Sequence, residues 1–229
     1  MHLFYFPFTD ENDIKITGTE AAHCAQVLRH KEGDTIKVSN GIGTIVTAEI
    51  INISKKEISL RTISTDYKTP KKPEITLAMC ILKNNDRTEW VIEKACEIGI
   101  QNFQLLTSRH AVAKKINIER LEKIIISATK QSEKHHKPIL HPLASFTDFI
   151  KTYQGKKLMA TCADVPKKSL KQFELSQENT VIFIGPEGDF SEDEIKLAME
   201  LQTEMVSLGD ERLRTETAAI AACALILID

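Results

Sequence analysis

The chain has 229 residues, of which 42% are hydrophobic and 27% charged, with a formal net charge of −2. That is the composition of an ordinary globular protein with one large or two modest domains, not of a low-complexity chain. Its five cysteines (Cys24, Cys80, Cys96, Cys162, Cys223) are odd in number, widely spaced and never arranged as C-x-x-C, which argues against a disulfide framework or a zinc cluster and for a reducing compartment. No run reaches the roughly 18 to 20 apolar residues of a membrane span, and Met1-His2-Leu3-Phe4-Tyr5-Phe6 has no basic segment ahead of its apolar residues. A cytoplasmic address is expected.

The first seventy or so residues read as a small β-rich domain. Thr19 to Leu28 has the pattern of one short helix, followed by Arg29-His30-Lys31. Thr35 to Ser39 alternates as a strand, Asn40-Gly41 with Gly43 supplies a hairpin turn, and Thr44 to Ile53 and Ile58 to Ile63 continue with dense β-branched residues. A short barrel with one helix is the economical expectation. Tyr67-Lys68-Thr69-Pro70-Lys71-Lys72-Pro73 interrupts all periodicity, so the domains are expected at 1–72 and 73–229.

From Glu74 onward, strands alternate with helices. Ile75 to Leu82 is nearly continuous in apolar residues, as for a strand buried on both faces. Asp86-Arg87-Thr88-Glu89 has the form of a capping box for a helix that Gly99 ends, and Phe103 to Leu106 is the next strand. Asn117 can cap a long helix with Ile118, Leu121, Ile124, Ile125 and Ala128 on one face, which Pro138 stops. A helix over Ser145 to Tyr153, strands at Lys157 to Cys162 and Val181 to Ile184, a capped helix from Ser191, a strand at Met205 to Leu208 and an apolar helix over Ala218 to Ile228 complete an α/β domain with a mainly parallel sheet.

Two loops in this second half concentrate unusual chemistry. Ile184-Gly185-Pro186-Glu187-Gly188-Asp189-Phe190 and Leu208-Gly209-Asp210-Glu211-Arg212-Leu213-Arg214-Thr215-Glu216 each follow a strand and feed a helix, the position where open α/β sheets bind ligands. The glycines permit close approach of backbone to ligand, and the second loop carries more charge than a simple turn needs. Arg214 and Glu216 could also just pair with each other. Phosphate-loop, dinucleotide-fold, nucleophile-elbow and H-E-x-x-H patterns are missing, which leaves those chemistries without support. Between Arg109 and Lys137, eight basic residues meet three acidic ones, a distribution suited to a polyanionic partner or to a solvated helix face.

Ile184-Gly-Pro-Glu-Gly-Asp-Phe-Ser191, then Leu208-Gly209 and Leu213-Arg-Thr-Glu-Thr-Ala218, resembles the bacterial 16S ribosomal RNA uridine-N3 methyltransferases (RsmE-like) of the SPOUT superfamily. His23 with Val27-Leu28-Arg29, Lys94-Ala-Cys-Glu-Ile-Gly-Ile100, Ser108-Arg109, and Gln131-Ser132 with Pro138 extend the resemblance over nearly the whole chain. It implies an N-terminal PUA-like β-barrel domain that helps hold RNA and a SPOUT-type, trefoil-knotted methyltransferase domain, working as a homodimer without a metal. The methyl donor would be S-adenosylmethionine, held by Thr161, Gly185, Glu187, Gly188, Leu208, Gly209 and Leu213. Arg214 and Glu216 would serve the reaction, while Arg29, Arg109, Lys130, Gln131 and Lys134 would contact 16S ribosomal RNA within the small subunit. Three features depart from the family pattern: Asp189 stands where a second glycine is usual, Asp210-Glu211-Arg212 replaces a more basic and apolar stretch, and Lys134 replaces an arginine. Asp189, Asp210 and Glu211 keep open a catalytically inactive RNA-binding assembly factor of the same fold; a related methyltransferase acting on another RNA shares every motif. Neither His23, expected to be packed, nor Trp90, expected in the core or at a dimer interface, is assigned to the chemistry.

Overall fold

The computed structural model describes residues 2–174 and 176–228, and the chain divides into two compact units, Met1–Pro70 with Thr129–Lys137 and Lys71–Ala128 with Pro138–Asp229. In the first unit, β1 (Leu3–Tyr5), β2 (Lys15–Thr17), β3 (Thr35–Ser39), β4 (Thr44–Ile53) and β5 (Glu57–Tyr67) form one sheet in the order β1-β3-β4-β5-β2. Only β1 and β3 run parallel. With β1 and β2 at its two edges, the short barrel expected from the sequence takes the form of a curled half-barrel. Its concave core takes Phe4, Ile14, Ile16, Ile36, Val38, Val46, Ala48, Ile50 and Ile58, most of them at every second position of their strands.

The hairpin between β3 and β4 turns at Gly41, whose φ of +74° suits glycine, and Asn40 Oδ1 accepts from the Ile42 and Thr44 amides, both at 3.0 Å. Residues 129–137 belong to this unit although they lie far downstream. The Gly43 amide donates to the His135 carbonyl and the Lys137 amide to the Gly41 carbonyl, each at 2.9 Å. The expected helix over Thr19 to Leu28 is instead α1 (Gly18–Ala22) followed by a π-helical turn, His23–Val27, with the Leu28 amide bonded to the His23 carbonyl five residues back at 3.1 Å. Helical spacing in the sequence does not distinguish these two windings.

The second unit is a seven-stranded, fully parallel sheet in the order β10-β12-β9-β11-β6-β7-β8. In chain order its elements are β6 (Ile75–Cys80), α2 (Asn85–Ile98), β7 (Asn102–Thr107), α3 (Ile118–Gln131, whose last turn falls in the first unit), β8 (Ile139–Ser145) and α4 (Phe146–Thr152), then β9 (Lys156–Ala160), β10 (Lys168–Ser169), β11 (Thr180–Ile184), α5 (Glu192–Glu200), β12 (Glu204–Ser207) and α6 (Thr215–Leu227). Every residue of β6 and β11 is buried, since helices cover both faces. Ile75, Leu77, Met79, Ile182 and Ile184 point to one face, packed with Val91, Leu121, Ala219 and Ile226 of α2, α3 and α6. Ala78, Cys80, Val181 and Phe183 point to the other, against Phe146, Ile150, Ile195 and Ala198 of α4 and α5.

Some local expectations shift. The cap of α2 is Asn84, which accepts from the Asp86 amide at 2.9 Å, while Thr88 is buried and its hydroxyl accepts from the Leu82 amide at 3.2 Å. The β8 strand was not expected, because half-buried Ile139-Leu-His-Pro-Leu-Ala-Ser145 lacks a clear period; Pro142 is tolerated at this sheet edge. Helix α6 begins at Thr215, three residues before the expected start. Asn117 caps α3, its Oδ1 accepting from the Arg120 amide at 3.1 Å. Among the described residues no helix is long and apolar enough to cross a membrane.

Helix α5 carries a complete capping box: Ser191 Oγ accepts from the Glu194 amide at 3.3 Å and Glu194 Oε2 from the Ser191 amide at 2.8 Å. Ser191→Ala is expected to lower stability by about 1 kcal/mol. Urea unfolding checks this: the midpoint should fall with the slope unchanged.

Candidate active site

A cavity of about 900 Å³ opens in the second unit where three adjacent strands end, at Ala160 of β9, Ile184 of β11 and Val206–Ser207 of β12. The central strands β6 and β11 are buried on both faces, so the polar groups that a ligand could use here come from the strand-end loops. Around the opening stand the backbones of Gly185 to Asp189 and Leu208 to Leu213, together with Thr161, Cys162, Arg87, Arg214 and Glu216. All nine residues assigned from the sequence to cofactor or reaction line this one cavity: Thr161, Gly185, Glu187, Gly188, Leu208, Gly209, Leu213, Arg214 and Glu216.

The two charged residues of the second loop do not pair with each other. Arg214 is the N-cap residue of α6, with extended backbone, and its side chain is exposed without a polar partner among the described residues. Glu216, in the first turn of α6, instead receives Arg87 of α2, Oε1 standing 3.3 Å from Nη1. Its other oxygen, Oε2, is buried and has no hydrogen-bond partner among the described residues. A buried carboxylate oxygen without a donor costs free energy, and such atoms concentrate where a ligand supplies the missing proton. Arg87 was missed in the sequence because it sat within an expected capping box; nothing local signals a partner on α6.

Asp189 ties the first loop to its neighbour. With φ of +61° it sits in the left-handed region, and its Oδ2 accepts from Thr161 Oγ1 at 2.8 Å and from the Cys162 amide at 2.7 Å. The same loop is held from outside: His110 Nδ1 lies 3.2 Å from the Asp189 carbonyl, and Glu187 Oε1 accepts from the Lys83 amide at 3.0 Å. Glu194 completes this support, because Oε1 accepts from the Arg109 amide at 3.0 Å while Oε2 caps α5.

The residues assigned from sequence to RNA divide between the units. Arg109 belongs to the second; it is exposed and meets Asp193 at 2.8 Å, a solvent-screened pair of little net strength. Arg29, Lys130, Gln131 and Lys134 belong to the first. Arg29 is exposed with φ of +56°, Gln131 is exposed, and Lys134 is half-buried. Lys130 is half-buried and already paired with Glu20 of α1 at 2.8 Å. His23 is exposed rather than packed, edge-on to Phe4 with ring centroids 6.3 Å apart, and Trp90 is 45% exposed and so outside the core. Among the described residues no group of histidines, cysteines and carboxylates could hold a metal ion.

Residues 69–227 match the RNA methyltransferase domain family and residues 16–63 the RNA methyltransferase PUA domain, so the parallel sheet with this cavity at its carboxyl ends is that of an RNA methyltransferase. The chain is 33% identical to the ribosomal RNA small subunit methyltransferase E of Rickettsia conorii, covering 94% of this chain and 89% of that protein. It is 28% identical to the Bacillus subtilis protein of the same name, over 92% and 88%. The crystal structure of ribosomal RNA small subunit methyltransferase E from Neisseria gonorrhoeae bound to S-adenosylmethionine superposes with a TM-score of 0.87 at 26% identity, covering 98% of this chain and 95% of that one. This chain belongs to the ribosomal RNA small subunit methyltransferase E family.

The thiols separate sharply by environment. Burial pushes the Cys80 and Cys223 thiols up to about 12 and that of Cys24 to about 11, the last helped by the charges of Asp34 and Glu20. Cys96 is buried too, whereas Cys162 is exposed at the cavity. Since the thiolate is the reactive form, a thiol reagent near neutral pH should label Cys162 alone in the native protein and all five cysteines after denaturation. Mass spectrometry of the labelled protein reads this directly.

Proposed function

We propose that this protein transfers a methyl group from S-adenosylmethionine to N3 of a specific uridine in 16S ribosomal RNA, within the small ribosomal subunit, and that it works as a cytoplasmic homodimer. The observation that carries the reading is the cavity at the ends of β9, β11 and β12, where the glycine-bearing backbone and the Arg214–Glu216 segment face the same space. In this reading residues 1–72 are a PUA-like RNA-binding domain and residues 73–229 a SPOUT methyltransferase domain. A trefoil knot at the site is part of the proposal. It is supported by the order β10-β12-β9-β11, in which the late strand β12 is inserted between β9 and β10, both laid down before it.

The cavity fits this cofactor. A volume of about 900 Å³ is in the range for small-molecule and cofactor sites. Both Gly185 and Gly188 line the cavity through backbone alone, and a Cβ at Gly185 would crowd its own loop, 3.1 Å from Asp189 Oδ1 and 3.2 Å from the Phe190 amide nitrogen, so that glycine keeps this turn tight. Gly209, which also lines the cavity, has φ of +143°, a conformation that favours glycine. When bound, S-adenosylmethionine supplies the methyl group from a sulfonium. Thr161, Gly185, Glu187, Gly188, Leu208, Gly209 and Leu213 are proposed to hold it, chiefly through backbone groups.

Methylation of N3 requires loss of a proton from the base and stabilisation of the negative charge that spreads over the uracil oxygens. Arg214, free of any partner among the described residues, is the proposed donor to that charge. Glu216 is held by Arg87 through one oxygen, which leaves Oε2 as the acceptor for the N3 proton or for Arg214 itself. The exposed Arg29, Arg109 and Gln131 and the half-buried Lys130 and Lys134 are the proposed RNA contacts.

Arg214→Ala should lower kcat about 100- to 1,000-fold, with the Kd for S-adenosylmethionine by calorimetry unchanged; full turnover by this variant would remove Arg214 from the reaction. Mapping modified nucleotides in ribosomal RNA from cells with and without the gene tests the position itself. For RNA binding, Arg29→Ala and Arg109→Ala are each expected to reduce the slope of log affinity against log salt by about 1. Lys130→Ala should instead cost thermal stability first, because it leaves Glu20 with only the long bond from the Tyr5 amide, 3.4 Å.

A further inference from the structure

The carboxylate of Asp189 does more than complete a turn. Glycine is the residue best suited to φ of +61°, yet an aspartate occupies it and all of its hydrogen-bonding groups are engaged. Oδ2 accepts from Thr161 Oγ1 at 2.8 Å and the Cys162 amide at 2.7 Å; Oδ1 accepts from the Phe190 amide at 2.8 Å; the Asp189 amide donates to the Pro186 carbonyl at 3.0 Å. Two of the three groups bound by the carboxylate belong to a different wall of the cavity, the loop that leaves β9. Thr161 is fixed in turn, since its hydroxyl also accepts from the Ala163 amide at 3.1 Å. A local turn needs none of these cross-loop bonds.

We infer that Asp189 is a positioning residue for S-adenosylmethionine: by tying the loop after β9 to the loop after β11, its carboxylate sets the separation of the two walls between which the cofactor lies. The inference rests on the cofactor site proposed above. Charge-assisted bonds from a carboxylate to a hydroxyl and an amide are stronger than neutral ones, so the walls are ordered before the ligand arrives and binding does not bear that entropy.

The test uses the full chain and three variants, Asp189→Gly, Asp189→Asn and Thr161→Val. Glycine removes the carboxylate and relaxes the backbone; asparagine also tolerates the left-handed conformation but keeps a single acceptor oxygen. Calorimetry should show S-adenosylmethionine binding about tenfold weaker to Asp189→Gly, with Asp189→Asn intermediate. In steady-state assays the loss should fall on KM for S-adenosylmethionine more than on kcat, with KM for RNA unaltered. Adding Thr161→Val to Asp189→Gly should weaken binding by less than it does in the wild-type background, since both changes cut the same tie. Wild-type affinity in Asp189→Gly, or a loss confined to kcat or to KM for RNA, overturns the inference and leaves the cofactor site standing. Failure of the unmodified protein to bind S-adenosylmethionine overturns both. If Asp189→Gly loses its cooperative melting transition, the same comparison between Asp189→Asn and the unmodified protein decides.

Discussion

Burial of β6 and β11 on both faces is the constraint from which the rest follows. With every residue of these strands enclosed between helices, neither face of the sheet can present a polar group to solvent, and each backbone donor and acceptor is consumed by the neighbouring strand. Chemistry can be placed only where the ladder stops. The loops after β9, β11 and β12 therefore carry the glycines, the carboxylates and the arginines, while Ile182, Phe183, Leu77 and Met79 do nothing but hold those loop ends in register. The scaffold is rigid and apolar so that three short segments of irregular backbone can be held at fixed spacing.

That division explains what could be read in advance. Alternation and continuous apolar runs are local signals, and they disclosed most strands and helices of the second half, as well as the hairpin at Asn40-Gly41. Glycine and charge crowded into two strand-end loops pointed to the cavity; the family resemblance named nine residues, eight in those loops and Thr161 after β9, and all nine line it. What escaped detection depends on contacts between residues distant in sequence. Arg87 reaches Glu216 across α2 and α6, and Asp189 reaches Thr161 across two strand ends; neither pairing leaves a mark on the residues beside it. The π-helical turn after α1, the three-residue strands β1 and β2 and the half-buried β8 escaped for another reason, since such segments are too weak in period to register. Composition reports strands and not how far the sheet curls round, so the expected short barrel is met as a half-barrel.

The charges show a similar contrast between inventory and use. The basic excess between Arg109 and Lys137 looks in the sequence like one surface, but its members are differently committed: Lys130 is held by Glu20, Arg109 by Asp193 and Arg120 by Glu89. At the cavity the order reverses, for Arg214 stands without a partner among the described residues and Glu216 with one oxygen unsatisfied. At Glu216 the unspent acceptor is buried and lines the cavity, where a ligand can use it.

Residues 129–137 have a consequence for how the chain is made. They complete the first unit through bonds to Gly41 and Gly43, yet nearly sixty residues of the second unit are synthesised before them. The N-terminal sheet therefore leaves the ribosome unfinished, its hairpin turn lacking the segment that covers it, and must wait for α3 to emerge. A fragment cut at the connector around Pro70 would remain in that incomplete state, so that the boundary drawn by chain order and the boundary of independent folding are different lines.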